Sequence, residues 1–365
     1  MKMVSSNIKN LIKEFIYRLN LKIRFVPLFD LPKKLVTETI ILKGHPVYDL
    51  NRKFLYTYAD KKVTAFKKVS FWANNGMVIY NDAIVLNTYL SQSLFERYNN
   101  QKINFKSTQQ LNLINVTCLG DYPYGVYYHF MVDTLPRIYS LYMPPLYLLD
   151  KIDVVIPDFL PKEFEKILIN LLPENANPIW INPKLNPLIT AENYFHLPYF
   201  TEDSKGYLPE DVLDFFKSKI GSYLDISWPT IKIKTKNIYI SRQKAPKRKF
   251  ENEYLLIELL LEYNFETYYL EELTIKEQIL LFASARNVIT IHGAGLTNLL
   301  WTSRTNVLEI FPSTNHNAWQ FEYLCLGTKN NYHKITLDEP NLNDNIVLNN
   351  INLISIKEFL QKCAE

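Results

Sequence analysis

The chain has 365 residues, 47% of them hydrophobic and 21% charged, and its 41 basic and 37 acidic residues leave a net charge of +4. This is the composition of a globular protein with a substantial core, which excludes a disordered or collagen-like chain. The charge is too mild, and its basic runs too short, to indicate a nucleic-acid partner. Three widely spaced cysteines, Cys118, Cys325 and Cys363, fit neither a disulfide framework nor a zinc-site spacing, so we expect a reducing compartment.

The first predicted element is an amphipathic helix at the N-terminus. Apolar residues recur at helical spacing from Ile8 to Leu19, and basic residues occupy the other face. The helix either lies on an anionic membrane surface, with peripheral contact through residues 7–24, or packs on its own domain or on a second subunit of a homo-oligomer. We find neither a secretory signal nor a membrane-spanning stretch. We therefore expect a cytoplasmic protein, peripheral on the inner face of the membrane if the helix binds lipid.

The middle of the chain is predicted to change from short strands to alternating strands and helices. Short β-type runs dominate residues 63–118, and an aromatic, helix-like segment follows at 127–142. Strands then alternate with helices near 161–172 and 209–220, which favours an α/β fold with a mostly parallel sheet. The composition changes at 222–236, which predicts a domain boundary there.

Beyond that boundary the alternation is clearer and predicts one half of a doubly wound domain. The predicted strands are 237–240, 265–269, 288–291 and 307–311, and the predicted helices are 254–263, 274–285, 296–301, 318–326 and 354–362. The helix after residue 273 opens with a capping box formed by Thr274 and Glu277.

One glycine-rich turn follows the strand at 288–291. Only nine glycines occur in the chain, against about 26 expected at the usual frequency, and two of them stand in His292-Gly293-Ala294-Gly295. A strand, a tight turn and a helix start together predict exposed amides that bind an anion at the carboxyl edge of a parallel sheet. The third glycine of a dinucleotide fingerprint is replaced by Asn298. A purely structural turn is the alternative.

A basic loop follows the strand at 237–240. The strand delivers Arg242 to the same sheet edge, and Arg248 lies a few residues on. Guanidinium groups make bidentate contacts with phosphate oxygens. Taken alone the loop is equally well explained as a solvated surface, whereas beside the His292 turn it predicts a diphosphate site.

Two further stretches of the sequence carry ionisable side chains in apolar surroundings. His129 and Asp133 are four residues apart in the aromatic segment, so a helix places them on one face, where they either act as a general base pair or brace the helix. Glu309 stands in an apolar strand, where an unpaired carboxylate is costly. We therefore expect Glu309 to have a partner, either a protein cation or a ligand hydroxyl.

Four stretches together resemble glycosyltransferase family 61. They are YHFMVDTLPRIYSL, YISRQKAPKRKFENE, EELTIKEQILLFASARNVITIHGAGLTNLLW and VLEIFP, and the last three lie in order within 237–312. This family contains plant xylosyl- and arabinosyltransferases, animal N-acetylglucosaminyltransferases and bacterial capsule enzymes. The resemblance implies a GT-B fold, in which two Rossmann-like domains face a cleft, and inverting, metal-independent transfer from a nucleotide sugar.

The resemblance also implies a division of the chain. Residues 1–225 would form the acceptor-side domain, with a short β-rich N-terminal part and the basic helix at 1–25. Residues 232–340 would bind the nucleotide sugar, and the tail and helix at 341–365 would pack back on the N-terminal domain. No Asp-x-Asp motif occurs in the sequence, so we expect no metal and no cofactor.

These observations give a leading hypothesis, a transferase of polysaccharide biosynthesis that acts on a glycan or glycolipid acceptor. The residues predicted to hold the donor diphosphate are Arg242, Arg248, His292, Gly293, Ala294 and Gly295. Glu309 and Asn298 are predicted to contact the ribose or base. We favour Asp133 as the base that takes the acceptor proton, with His129 orienting it, and the opposite assignment stays open. The alternatives are a nucleotide-sugar epimerase of the same fold and a non-enzymatic carbohydrate-binding protein.

Overall fold

The computed structural model describes residues 24–28, 31–49, 51–81, 83–85, 88, 111, 113–120, 126–158, 160–182, 188–201, 206–228, 234–312, 319–337 and 345–364. The predicted helix at residues 8–19 lies outside the described residues, so the membrane contact and the cytoplasmic location stay predictions. The chain forms two compact units. The first comprises 1–43, 60–125 and 140–199, and the second comprises 44–59, 126–139 and 200–365.

The regular elements are numbered along the chain. The strands are β1 (Arg24–Val26), β2 (Val36–Leu42), β3 (His45–Tyr48), β4 (Phe54–Tyr58), β5 (Lys61–Trp72), β6 (Val78–Tyr80), β7 (Ala83–Val85), β8 (Leu113–Cys118), β9 (Ile152–Pro157), β10 (Ala176–Ile181), β11 (Leu188–His196), β12 (Lys236–Ile240), β13 (Phe265–Tyr268), β14 (Ala285–Ile291), β15 (Asn306–Phe311) and β16 (Asn331–Thr336). The α-helices are α1 (Lys162–Leu171), α2 (Glu210–Leu224), α3 (Glu253–Leu261), α4 (Ile275–Ala283), α5 (Gln320–Thr328) and α6 (Asn350–Ala364). Among the described helices, none has the length and apolar character that crossing a bilayer requires.

The first unit is built on a mixed nine-stranded sheet. Its order is β1-β7-β6-β5-β11-β8-β9-β10, and β2 also pairs with β5. Strands β11, β8, β9 and β10 run parallel, whereas β5 is antiparallel to β11, β2 and β6. Aromatic side chains of Phe66, Phe71 and Tyr194 fill its core. The α/β class is confirmed, while the arrangement of two Rossmann-like domains stays a prediction.

The second unit contains a five-stranded sheet that is parallel throughout. Its order is β13-β12-β14-β15-β16. This is the doubly wound order 2-1-3-4-5, in which the chain reverses direction across the sheet between its first and third strands, here β12 and β14. Ligands of such folds bind outside the carboxyl ends of the strands at that switch point.

The predicted elements of the second unit are confirmed within a few residues at each end. Helix α4 begins at Ile275 because the predicted capping box forms: the Thr274 hydroxyl accepts from the Glu277 amide, and the Glu277 carboxylate accepts from the Thr274 amide. In the neighbouring strands every second residue, such as Ile289 and Leu308, enters one core cluster.

The C-terminal helix packs within the second unit. Ile356, Phe359 and Leu360 of α6 lie in one core cluster with Leu256 and Leu260 of α3, whereas the tail was predicted to pack on the N-terminal domain. The pairing follows from the apolar character of α3, whose leucines need a second apolar helix to cover them. The units also differ from the predicted division at 225–232, because the second unit comprises 44–59, 126–139 and 200–365.

Candidate active site

The switch point of the second unit brings together two of the predicted motifs. Strand β12 ends at Ile240 and is followed by Ser241 and Arg242, while β14 ends at Ile291 and is followed by His292. Ile240 is paired with Thr290 on the adjacent strand. Because both strands point the same way, their carboxyl ends deliver Arg242 and His292 to one edge of the sheet.

The guanidinium of Arg242 lies directly against Gly293. A β-carbon on Gly293 would overlap the guanidinium, with Cζ at 2.9 Å. The backbone of Gly293 has φ 173° and is extended, which any residue can adopt. Glycine is therefore required at this position for the approach of an arginine, a reason that the sequence did not show.

Arg242 is a half-buried cation with unused hydrogen-bonding capacity. Its Nη2 donates to the Lys247 carbonyl at 3.3 Å, and within the described residues its buried Nε has no hydrogen-bond partner. Burial, and after it the neighbouring Arg248, lowers the pKa of Arg242 to about 10, so the group is still cationic at neutral pH. A half-buried guanidinium beside a second arginine is suited to an anionic ligand.

A buried carboxyl group fixes the loop that carries Arg242. The Tyr239 hydroxyl donates to Glu253 Oε1 at 2.5 Å, and the Ser241 hydroxyl lies 2.9 and 3.0 Å from its two oxygens. The Gln243 amide donates to Ser241 Oγ at 3.2 Å. Sequence reasoning missed the role of Glu253. The signal was an acidic residue 12 positions after Ser241, in the same family-like stretch.

His292 is held from inside the protein by Glu309. Its Nδ1 lies 2.5 Å from Glu309 Oε1, and the Tyr332 hydroxyl donates to Oε2 at 2.7 Å. The imidazole stacks on Phe311 with ring centroids 4.8 Å apart. Burial raises the pKa of Tyr332, and the Glu309 carboxyl raises it further. His292 therefore has one orientation, with Nδ1 directed into the core.

Glu309 and Asn298 are both buried and hydrogen-bonded to groups inside the protein. Glu309 is 0% exposed and both its oxygens have protein partners, which confirms the expected partner and identifies it. Asn298 is equally buried, accepts from the Tyr127 hydroxyl at 2.8 Å, and donates to Gln278 and to the Gly295 carbonyl. Glu309 thus orients His292, and Asn298 ties the Gly295 turn to residue 127, while their contact with a ribose or base stays a prediction.

The other predicted pair, His129 and Asp133, lies on a π-helix at His129–Thr134. His129 Nδ1 is 2.7 Å from Asp133 Oδ2, and the Thr201 hydroxyl donates to Asp133 Oδ1. The Asp133 side chain is 6% exposed and that of His129 is 30% exposed. Asp133 thus has both oxygens engaged inside the protein, while the imidazole is the member of the pair that solvent or a substrate reaches. Sequence reasoning missed Thr201.

Contacts inside the second unit join this pair to the His292 turn. The ring of Tyr128 meets that of His129 at a centroid distance of 5.3 Å and that of Phe321 at 5.5 Å. Phe321 in turn meets His292 at 5.7 Å. Burial, followed by the Asp133 carboxyl, raises the pKa of Tyr128, so its hydroxyl stays protonated. The predicted base pair and the predicted diphosphate site therefore belong to one compact unit.

The remaining predicted positions lie at the start of the turn. Ala294 begins a 3-10 helix at Ala294–Trp301 and is exposed, whereas Gly295 is half-buried. The first amides of such a helix have no partner within it and can bind an anion. A β-carbon on Gly295 would come within 2.8 Å of one methyl group of Leu270. Gly293 therefore faces a guanidinium group, whereas Gly295 faces an apolar side chain.

The burial of Glu309 predicts a stability effect. His292→Ala is expected to lower the free energy of unfolding by about 1–3 kcal/mol, because it leaves a buried carboxyl oxygen without a donor. Chemical denaturation measures the change. His292→Ala/Glu309→Leu should recover part of the loss, since both polar partners are then removed. His333→Ala, at an exposed position, is the control, and an equal loss there would contradict the role of the buried pair.

Comparison with known proteins gives one family match. The family model Glycosyltransferase 61 matches residues 127–308, about half of the chain. The match begins immediately before His129 and contains Asp133, Arg242 and His292. No curated protein matches the chain significantly.

Proposed function

Because the chain matches glycosyltransferase family 61 and the family indicates a glycosyltransferase, we propose that it transfers a sugar from a nucleotide-sugar donor to a hydroxyl of a glycan or glycolipid. The transfer inverts the anomeric centre and needs no metal ion. The observation that carries this proposal is the half-buried Arg242 guanidinium, which lies against Gly293 at the switch point with its buried Nε unpartnered among the described residues.

The donor diphosphate binds at the switch point. Arg242 supplies a charge-assisted donor, Arg248 adds a second positive charge, and the amides at Ala294 and Gly295 begin the 3-10 helix. His292, whose Nδ1 is engaged by Glu309, presents its other ring nitrogen to the leaving phosphate. These groups stabilise the charge that develops on the diphosphate, which is the task a divalent cation performs in metal-dependent enzymes.

The acceptor hydroxyl loses its proton to His129. Of the two candidates, His129 is the more exposed, while Asp133 has both oxygens engaged by His129 and Thr201. A buried carboxylate at Nδ1 fixes the ring orientation, and the exposed part of the imidazole takes the acceptor proton. We therefore propose His129 as the base and Asp133 as the positioning residue, the reverse of the assignment that the sequence favoured.

The reaction is then a single displacement. The acceptor oxygen forms a bond to the anomeric carbon as the bond from that carbon to the diphosphate oxygen breaks. The acceptor proton passes to His129, and the electron pair leaves with the nucleoside diphosphate. We propose the GT-B arrangement, and a role in polysaccharide or capsule synthesis, as part of the same function.

The class is tested by incubating the full chain with radiolabelled nucleotide sugars and a panel of glycan and glycolipid acceptors. We expect a labelled glycan product with inverted anomeric configuration, and unchanged turnover after treatment with EDTA. Loss of transfer in EDTA that added magnesium restores would contradict the metal-free mechanism. Turnover of a nucleotide sugar without an acceptor, followed by NMR, would instead indicate an epimerase.

A further inference from the structure

A second charged cavity lies in the second unit, away from Arg242 and His292. Its volume is about 480 Å³. The residues around it come from α2, from the ends of loops that precede β12, β15 and β16, and from the end of α5. They are Glu210, Leu213, Asp214, Lys217, Lys234, Ser303, Arg304, Gly327, Thr328 and Lys329.

This cavity lies at the amino-terminal edge of the parallel sheet. Lys234 precedes β12, Arg304 precedes β15 and Lys329 precedes β16. By contrast, Arg242 follows the end of β12 and His292 follows the end of β14. Strands of five or six residues are about 17–20 Å long. The cavity is therefore separated from the proposed donor site by the length of the sheet, and a donor bound at Arg242 does not reach it.

Positive charge exceeds negative charge in the cavity. Four basic side chains face two acidic ones, and Lys329 pairs with Glu210 at 2.5 Å. Within the part of the chain that the structure describes, the other three cations, Lys217, Lys234 and Arg304, have no carboxylate within 4.0 Å. The carboxylate of Asp214 raises the pKa of Lys217 through its charge, without forming an ion pair with it.

The lysines are also partly removed from water. Lys234 donates to the Thr305 hydroxyl at 2.8 Å and to the Ser303 carbonyl, which fixes its ammonium group beside Arg304. Burial, and then the charges of Lys217 and Arg304, lower the pKa of Lys234 to about 8. Burial also lowers the pKa of Lys217. The positive charges of Lys217, Lys234 and Arg304 therefore repel one another, and a bound anion would offset that repulsion.

We propose that this cavity is a second ligand site, which binds an oxyanion of the phosphate or sulfate type through Lys217, Lys234 and Arg304. The anion is either a free ion or a group carried by a sugar. The site is separate from the catalytic reaction, so the proposal does not depend on the chain being a transferase.

The test measures sulfate binding by isothermal titration calorimetry on the full chain carrying Arg242→Gln, which weakens the competing site at the switch point. We expect saturable binding that Lys234→Gln weakens about tenfold or more, the size of one lost charge-assisted hydrogen bond. Lys217→Gln is a second variant, because Lys234→Gln also removes the hydrogen bond to the Thr305 hydroxyl. Lys219→Gln, on the same helix but outside the cavity, is the control and should bind normally.

The pH dependence and the ligand distinguish the remaining outcomes. Sulfate keeps its charge between pH 7 and 9, so affinity should fall as Lys234 loses its proton above about pH 8. The other charged groups that face Lys234 in the cavity are Lys217, Arg304, Lys329, Glu210 and Asp214. Tighter binding of glucose 6-phosphate than of inorganic phosphate would identify a sugar-borne anion, and equal binding a free one. Absence of sulfate binding, or binding that neither lysine variant weakens, would overturn the proposal.

Discussion

His129→Gln is expected to lower kcat by about 10²–10⁴-fold, the contribution of a positioned general base. Glutamine keeps a side chain that can hydrogen-bond to Asp133, so the π-helix and its Thr201 contact should persist. Donor affinity should stay close to that of the unchanged protein, since His129 acts on the acceptor. Transfer assays with saturating donor, together with nucleotide binding by calorimetry, measure the two effects separately.

Asp133→Asn distinguishes the two possible assignments of the base. If Asp133 only positions the imidazole, its loss should cost less than that of His129, about 10–100-fold, as for carboxylates that orient histidines at metal sites. His333→Gln makes the same substitution at an exposed histidine in the same unit and should leave kcat unchanged. A His129→Gln protein that keeps most of its activity while Asp133→Asn is inactive would return the base to Asp133.

The parts of the second unit that the sequence predicted have strong local signals. Short apolar runs predicted β12, β14 and β15, and the Thr274 capping box predicted the start of α4. Strand β16 was missed because its side chains are mostly exposed or half-buried and show no apolar periodicity. The segment at 127–142 reads as helical from its composition, but spacing alone does not separate a π-helix or a 3-10 helix from an α-helix.

The site was predicted residue by residue, yet most of its contacts were not. Thr201 is 68 positions from Asp133, and Tyr332 is 23 positions from Glu309, so no local pattern connects them. The partners of Glu309 could not be named from the sequence for the same reason. The sequence showed that a buried carboxylate needs a partner, but only the packing of neighbouring strands shows that the partners are His292 and Tyr332. The pairing of Gly293 with Arg242 likewise depends on two adjacent strand ends.

The largest effect on donor binding is expected from Arg242→Gln. Losing one half-buried, charge-assisted partner of the diphosphate should cost about 2–4 kcal/mol, roughly 30- to 1,000-fold in Kd for a nucleoside diphosphate. The fold should not suffer, because the variant removes a half-buried cation whose Nε has no hydrogen-bond partner among the described residues. We therefore expect donor affinity to fall while Tm is unchanged or rises, which is measured by calorimetry and thermal denaturation.

Gly293→Ala tests whether the glycine serves that arginine. Alanine fits the extended backbone at φ 173°, so its only cost is displacement of the Arg242 guanidinium. Donor affinity should fall toward that of Arg242→Gln, and the double variant should be no weaker than Arg242→Gln alone, because both changes remove the same contact. Gly295→Ala is the matched control: its new methyl group contacts one flexible methyl of Leu270, so its effect should be smaller. Additive losses in the double variant would show that Gly293 contacts the ligand directly, through its amide, as the sequence had first suggested.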